Sequence, residues 1–594
     1  MSNPLLPDQA KTAGRVFVRA AGVFLLLVLA AAVWVGVRGY LALGHLQSAQ
    51  TLASTVSANP TDTAKVESQV AQIQEEMSAA DSLTSDPVWR LGERVPYIGA
   101  QLSAVSQATS SLSQMSDQAL TPLVDVAGSF SPDSLTPKNG KIDTAALTDV
   151  KTAAQTSGAA MTAAAIEIES IDRRGLLPPL ADAVDELSEQ VTDAAKAVDG
   201  VRRASILLPK FLGEDGARSY LVLGQNNAEW RSLGGMVGAM FVARTDDGRI
   251  ELGDYYAETD LDEITKPVVD LPKNMRELFI PNPAKTPQNV TQIPDFAQSG
   301  EIASATWRER TGEKVDGVIA IDPVTLSYLL EATGPVEVPV GTTGQTVKVT
   351  SENAVSLLLN EIYLKYSVDD QDAIFNATTS AVFGKIIAGK ADPRALLTAL
   401  SKAAGERRIL IWSDRDAEQA VLDGTNLQGA LPRSDRSQTP FGVYLNDATG
   451  SKLSYYMDVE TGADWCRIDG DTATTELRVK LTNNAPKNVA ELPDSIIGGG
   501  YWGTKQGLTR NLAYIYLPKG SKVVRDDVSG DGPLRAFGRG THEGREVLTW
   551  SSLLKPGQSV TATVRVSTGW TPNLTVVSTP TIPGSTTTVA PECR

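Results

Sequence analysis

The sequence predicts a multidomain, membrane-anchored chain: one N-terminal transmembrane helix, an α-helical membrane-proximal bundle, an α/β core and a C-terminal immunoglobulin-like β-sandwich. Three observations predict it. An uncharged apolar run stands near the N-terminus, Ala-, Ser-, Thr- and Gln-rich text with apolar residues at helical spacing follows, and beyond Phe441 the pattern turns to short alternating strands. The 594 residues give room for roughly four units of about 150 residues each. The expected divisions are 1–19 (cytoplasmic tail), 20–40 (membrane span), 41–208 (helical stalk or bundle), 209–433 (α/β core), 441–579 (β-sandwich) and 580–594 (Pro/Thr-rich tail).

The run from Ala20 to Val37 carries no charge, is flanked by Arg19 and Arg38, and is long enough to span a bilayer. Lys11, Arg15 and Arg19 precede it, whereas Arg38 is the only Lys or Arg between the run and Lys65. The positive-inside rule then keeps the N-terminus cytoplasmic and puts the bulk of the chain outside, as a single-pass protein of the cell membrane. The alternative is a cleaved secretory signal, for which Ala30-Ala31-Ala32 would supply the small residues.

From Leu41 to Leu208, Val66, Val70, Ile73 and Met77 make one apolar stripe. Leu102, Val105, Leu112, Met115 and Ala119 make another, and Leu180, Val184, Leu187, Val191, Val198 and Val201 a third. Breaks at Pro60, Asp86-Pro87, Ser131–Lys141 and Gly175–Pro179 cut this region into four or five amphipathic helices.

Strands and helices mix from Pro209 to Arg433. The stretch from Ser219 to Leu252 reads as strand, polar turn (Gln225 to Arg231) and strand, with Gly234 and Gly235 in the connection. Such a turn, with a guanidinium beside exposed N–H groups, suits an anion held by Arg231, Gly234 and Gly235. The competing readings are a tight connection that needs glycine, and an Arg231 paired with an acid such as Glu229. Asp254, Asp260 and Asp262, in an acidic segment, could hold Mg²⁺ or form a solvated loop. In the stretch Val315–Val340, Asp322-Pro323 places a cap before an N1 proline. Ser351–Tyr366 and Gln371–Ala388 read as helices, with Asp369, Asp370 and Asp372 as metal ligands or caps. The later strands are Leu453–Val459, Thr475–Asn483, Leu512–Leu517, Glu546–Trp550, Val560–Val566 and Leu574–Ser578.

A formal net charge of -16, from 54 Lys+Arg and 70 Asp+Glu, argues against a general nucleic-acid binder. The 2 histidines, His45 beside the span and His542 in a Gly-rich loop, leave almost no base for a Ser-His-Asp or Cys-His arrangement, and HExxH is absent. Any catalysis would rest on carboxylates, Arg, Lys or an oxygen-bound metal. Cys466 and Cys593, the 2 cysteines, can pair as a disulfide outside the membrane or stay as separate buried thiols.

YLVLGQNNAEWRSLGGMVGA, DGVIAIDPVTLSYLLEATGPVEV, YLNDATGSKLSYYMDV and LRVKLTNNAP together resemble a bacterial, mainly Gram-positive, envelope family known as domain of unknown function 4012. The α/β core is also distantly similar to the LytR-CpsA-Psr domain, which transfers glycopolymers from polyprenyl-pyrophosphate lipids to the cell wall. YLVLGQ resembles that domain's first strand and Arg231-Ser232 the start of its Arg-Ser-Asp-Thr motif, whose Asp-Thr is Leu233-Gly234 here. Lys365-Tyr366 stands where the domain carries several arginines. The resemblance implies an extracytoplasmic protein that binds or transfers a polyprenyl-phosphate-linked glycan, with Arg231, Gly234, Gly235 and Lys365 at the anion and Mg²⁺ as the possible cofactor. The alternative is a non-enzymatic envelope scaffold.

Overall fold

The structure, a computed structural model, describes residues 8–58, 63–127, 132–257, 264–341, 344–435, 438–501, 503–533, 536–571, 573–584, 586–588 and 593. It divides into two compact units. One comprises 1–131 and 145–206, the other 132–144 and 207–594.

The first unit is helical: α1 (Asp8–Ala58), α2 (Thr63–Thr84), α3 (Pro87–Gly92), α4 (Ile98–Met115), α5 (Thr121–Ala127), α6 (Ala146–Glu169) and most of α7 (Pro178–Phe211). Within α1, Val16–Thr55 is long and apolar enough to cross a membrane. The helix continues well past Val37 because nothing between Arg38 and Ala58 breaks it, and Ala42 and Ala49 are buried. Arg38 lies at the point where α1 leaves the apolar run. It donates to the carbonyls of Ser82 and Leu83 at 2.6 and 2.8 Å and pairs with Asp86 at 2.8 Å, so a cation satisfies the end of α2. Asp86 in turn caps α3, accepting from the N–H groups of Val88 and Trp89. The apolar stripes turn inward at Val66, Val70, Ile73, Leu112, Ala119, Val184 and Val191, while Val201 is exposed. Small residues dominate the core (Ala104, Ala108, Ala164, Ala165, Ala195), which lets helices approach closely.

The second unit is built on a five-stranded mixed sheet of order β3-β2-β1-β4-β7 and on two further five-stranded sheets. The first sheet uses β1 (Arg218–Arg231), β2 (Gly234–Asp246), β3 (Arg249–Ala257), β4 (Gly317–Ile321) and β7 (Leu410–Ser413), while β5 (Val336–Pro339) and β6 (Thr346–Val349) form a separate hairpin. Helices α8 (Lys273–Leu278), α9 (Phe296–Thr311), α10 (Pro323–Thr333), α11 (Ala354–Ser356), α12 (Ile362–Lys365), α13 (Val368–Ile387), α14 (Pro393–Gly405) and α15 (Asp416–Leu422) surround it. Val222 packs on one face with α10, α13 and α14, and Leu221 and Leu223 on the other with Ile302 and Trp307 of α9. The sheet is therefore covered on both sides.

The remaining strands are β8 (Gln438–Asp447), β9 (Met457–Asp469), β10 (Thr472–Asn483), β11 (Thr509–Tyr516), β12 (Lys522–Gly530), β13 (Gly538–His542), β14 (Arg545–Leu554), β15 (Ser559–Gly569), β16 (Asn573–Ser578) and β17 (Thr586–Thr588), with the short helix α16 (Asp494–Ile497) between β10 and β11. They form sheets of order β13-β14-β11-β8-β16 and β12-β15-β10-β9-β17, packed around Val443, Leu477, Val479, Ile515, Trp550 and Val564. The strand expected from Leu453 begins only at Met457, because Leu453–Tyr456 is a 3-10 turn. Cys466 and Cys593 are joined by a disulfide, Cα to Cα 5.1 Å.

The α/β region and the strand-only region share one continuous interior. Tyr444, Tyr514, Tyr516 and Val547 of the first sandwich sheet are buried in the same cluster as Leu221, Leu223 and Phe279. Conversely, Trp230 of β1 is buried in the cluster between the two sandwich sheets.

Candidate functional site

The polar text after Gly224 is strand rather than loop. β1 runs unbroken to Arg231, with register shifts between Gly224 and Gln225 and between Asn226 and Trp230. Its parallel pairing with β4 ends at Gly224–Ile321. Beyond that point its neighbours are β8, a π turn at Leu357–Glu361 and the 3-10 turn at Leu453–Tyr456. Polar side chains replace the missing ladder bonds. Gln225 Oε1 accepts from the Gly235 N–H at 2.8 Å, and Asn226 Oδ1 from the Ala228 N–H at 3.1 Å.

Arg231 is therefore not at an exposed turn. It is 8 % exposed and donates to Asn289 Oδ1 at 2.7 Å, to the Trp230 carbonyl at 2.8 Å and to Glu229 at 3.1 Å. The acid-partner alternative is the one the packing realises, because burying the guanidinium requires a counter-charge and acceptors for its donors. The tip beside it is equally saturated. Ser232 N–H donates to Asn446 Oδ1 at 3.1 Å, Ser232 C=O accepts from Thr579 at 3.0 Å, and Leu233 N–H donates to Thr291 C=O at 3.1 Å. Gly234 has φ 133°, and a Cβ on Gly235 would stand 2.3 Å from the Asn226 carbonyl. The glycines are needed for backbone approach, and neither offers its N–H groups to solvent.

Lys365, the other expected anion ligand, is exposed at the end of α12 and pairs with Glu361 at 2.5 Å, which raises its pKa. It does not join Arg231. Asp254 is exposed on β3, and Asp260 and Asp262 lie outside the described residues. Among the described residues no group of three His, Cys, Asp or Glu side chains converges as metal ligands, and of the expected Mg²⁺ set only Asp254 is among those residues. Asp322 caps α10, accepting from the Thr325 N–H at 2.7 Å, and also pairs with the buried Arg408 at 2.9 Å. Asp369 and Asp370 lie in the first turn of α13, which begins earlier than expected behind the cap Ser367. The expected helix over Ser351–Tyr366 is broken into α11, the π turn and α12. His45 contacts Glu76, and His542 is buried against Tyr516, where desolvation lowers its pKa.

What the fold does assemble is a cavity of ≈ 150 Å³ where β1 outruns β4. Gly224, Gln225 and Asn226 of β1, Gly238 of β2 and Tyr255 of β3 form one side. Ile362 and Tyr363 of α12 and Val368, Gln371, Asp372 and Phe375 of α13 form another, and Lys452 and Ser495 close it from the strand-only region. A side chain at Gly224 would meet Phe375 at 3.7 Å. Tyr363 is the pivot: its hydroxyl accepts from Asn226 Nδ2 at 2.8 Å, its carbonyl accepts from Ser495 at 3.2 Å, and the Lys452 ammonium lies 4.7 Å from its ring centroid. Gln225, whose Oε1 accepts from the Gly235 N–H, lines the same space. The preceding π turn sets the rotation of α12, and such turns often accompany functional positions. Amides, a carboxylate, an ammonium, phenols and two apolar walls around a small space can grip a polar ring or headgroup by hydrogen bonds and stacking.

Of these residues, Gly224, Gln225, Asn226 and Gly238 stood in the strand-turn-strand passage, Asp372 in the acidic group before α13, and Lys452 in a passage that carries the family resemblance. None of Tyr363, Gln371, Lys452 and Ser495 was read as a site residue, since each looks like an ordinary helix or turn residue until the chain folds.

An apolar helix able to cross a membrane, followed by a multidomain body with an α/β core, defines the class to which this chain belongs. Residues 215–363 match the family model described as "Protein of unknown function (DUF4012)", so the chain carries a DUF4012 domain. No curated protein matches the chain. The domain supplies the β1–β3 side of the cavity and Tyr363, while α13, Lys452 and Ser495 lie beyond it.

Proposed function

We propose that this chain is a single-pass, extracytoplasmic cell-envelope protein that works by holding an envelope glycan, free or polyprenyl-phosphate-linked, in the cavity around Tyr363. The carrying observation is the contrast between that cavity, an open space bordered by amide, carboxylate, ammonium and phenol side chains, and Arg231, which is packed inside the protein with its donors on Asn289, Trp230 and Glu229. This favours the non-enzymatic envelope reading over LytR-CpsA-Psr-like transfer, because a pyrophosphate leaving group needs accessible compensating charge. At ≈ 150 Å³ the cavity is below the roughly 300–1,000 Å³ of pockets that enclose drug-sized ligands, so it suits a sugar ring or a headgroup and not a polyprenyl chain. The Lys11, Arg15 and Arg19 cluster before the span supports a cytoplasmic N-terminus.

Native mass spectrometry of the full chain released from detergent tests the binding reading. A retained sugar or lipid-headgroup mass that disappears in Lys452→Met supports it; no retained mass, together with no uptake of added polyprenyl phosphate or oligosaccharide, overturns it. Topology is tested separately with Lys555→Cys, an exposed turn residue. An impermeant thiol reagent should label it in intact cells, and labelling only after lysis would reverse the orientation.

A further inference from the structure

A second recognition surface lies on the strand-only region, and it does not depend on the cavity reading. The register of β11 with β14 puts Arg510, Leu512, Tyr514 and Tyr516 on one face, opposite Leu553, Ser551, Thr549 and Val547. Half of this face is interior: Tyr514, Tyr516 and Val547 are buried under the α/β region. The other half emerges as an open groove of ≈ 620 Å³ lined by Arg510, Leu553, Ser551 and Thr549 together with Thr504 and Lys505.

Its charge is unusual for this chain. In a protein of net charge -16, Arg510 and Lys505 are exposed and neither has a carboxylate partner among the described residues. Among the described residues the Arg510 guanidinium donates to Ser551 Oγ at 3.5 Å. Thr504 is 4 % exposed, and its hydroxyl has no hydrogen-bond partner among the described residues. An orphaned hydroxyl, two unneutralised cations and flanking leucines are a mixed polar and apolar floor.

We infer that this groove binds an anionic carbohydrate polymer, with carboxylate or phosphate groups on Arg510 and Lys505 and sugar or polyol faces on Leu553. A peptide fits less well. The groove lies on a sheet face whose strands are already paired on both sides, so an extended chain finds no edge to join. The open shape suits a long polymer that passes through, whereas an enclosed site would suit a chain end.

The test measures binding of the detergent-solubilised full chain to four immobilised probes: polygalacturonate, a glycerol-phosphate polymer, neutral dextran and poly-glutamate. Binding to one or both anionic carbohydrate polymers, weakened by salt and reduced about tenfold in Arg510→Gln/Lys505→Gln, supports the inference. Whichever of the two binds identifies carboxylate or phosphate as the recognised group. Lys522→Gln, which removes the same kind of charge from the other sandwich sheet, should leave binding unchanged. Because Arg510 and Lys505 are exposed, the double variant should melt with the wild type, so lost binding is not lost folding. Binding to neither anionic polymer, equal binding to dextran, binding to poly-glutamate alone, or undiminished binding by the double variant would overturn it.

Discussion

Two polar pairs a few residues apart, Gln225–Asn226 within β1 and Arg231–Ser232 at its end, are both buried, yet their surroundings differ. At the tip, Arg231 and Ser232 spend their hydrogen-bonding capacity on Asn289, Glu229, Asn446 and Thr579. At the cavity, Asn226 reaches Tyr363, Gln225 accepts from Gly235, and both border an open space. The tip joins two regions of the protein, and the cavity is the place proposed for a ligand. Polarity and burial alone do not mark a functional site. What distinguishes the two is whether the polar side chains border open space or are packed on all sides.

The largest effect should come from Trp230→Ala. This side chain belongs to the α/β strand but fills the core between the sandwich sheets, so its loss should cost about 3–5 kcal/mol. Chemical denaturation should show the α/β and strand-only regions unfolding together at lower denaturant. Two separate transitions in the wild type would break the view that the tip unites them.

Arg231→Ala should cost about 3–5 kcal/mol, because it leaves Glu229 buried without its counter-charge near Asp447. A clear fall in Tm with no change in retained ligand would sharpen the comparison. Unchanged Tm with lost ligand would return Arg231 to the ligand site.

Asp447 gives a smaller, pH-dependent effect. Burial pushes its pKa well up, nearby Glu229 adds to this, and Arg231 opposes it; its Oδ2 accepts from the N–H groups of Thr449, Gly450 and Ser451. The folded state therefore holds the proton more tightly than the unfolded chain. Its contribution to stability should fall as pH rises from the ordinary carboxylate range toward neutrality. Asp447→Asn should flatten that slope in denaturation measured across this window, and an unchanged slope would assign it elsewhere.

The smallest effect belongs to the cavity. Tyr363→Phe removes the acceptor of the Asn226 amide, at a cost of about 1 kcal/mol, and should weaken ligand retention far more than it lowers Tm. A stability loss as large as that of Trp230→Ala would make the cavity a structural joint too.

Much of this protein could be read directly from its residues. The apolar run, the helical stripes with Val66, Val70 and Leu112, the Asp322-Pro323 cap and the alternation of Leu477, Val479 and Leu481 are local or periodic signals, and their chemistry is the same before and after folding. The fate of Gln225–Arg231 was not legible. Polar text after an apolar strand reads as a loop unless distant groups complete its hydrogen bonds, and here Asn289, Asn446 and Thr579 do so from far along the chain. The cavity was hidden for the same reason: Tyr363, Lys452 and Ser495 meet only after folding. The sequence by itself determined which segments are apolar, helical or extended and where charge accumulates, because those properties belong to neighbouring residues. Only the tertiary structure decided that Arg231 is a buried strut and Tyr363 a cavity wall, because a polar group's role depends on which distant groups the fold brings to it and whether it leaves open space beside them.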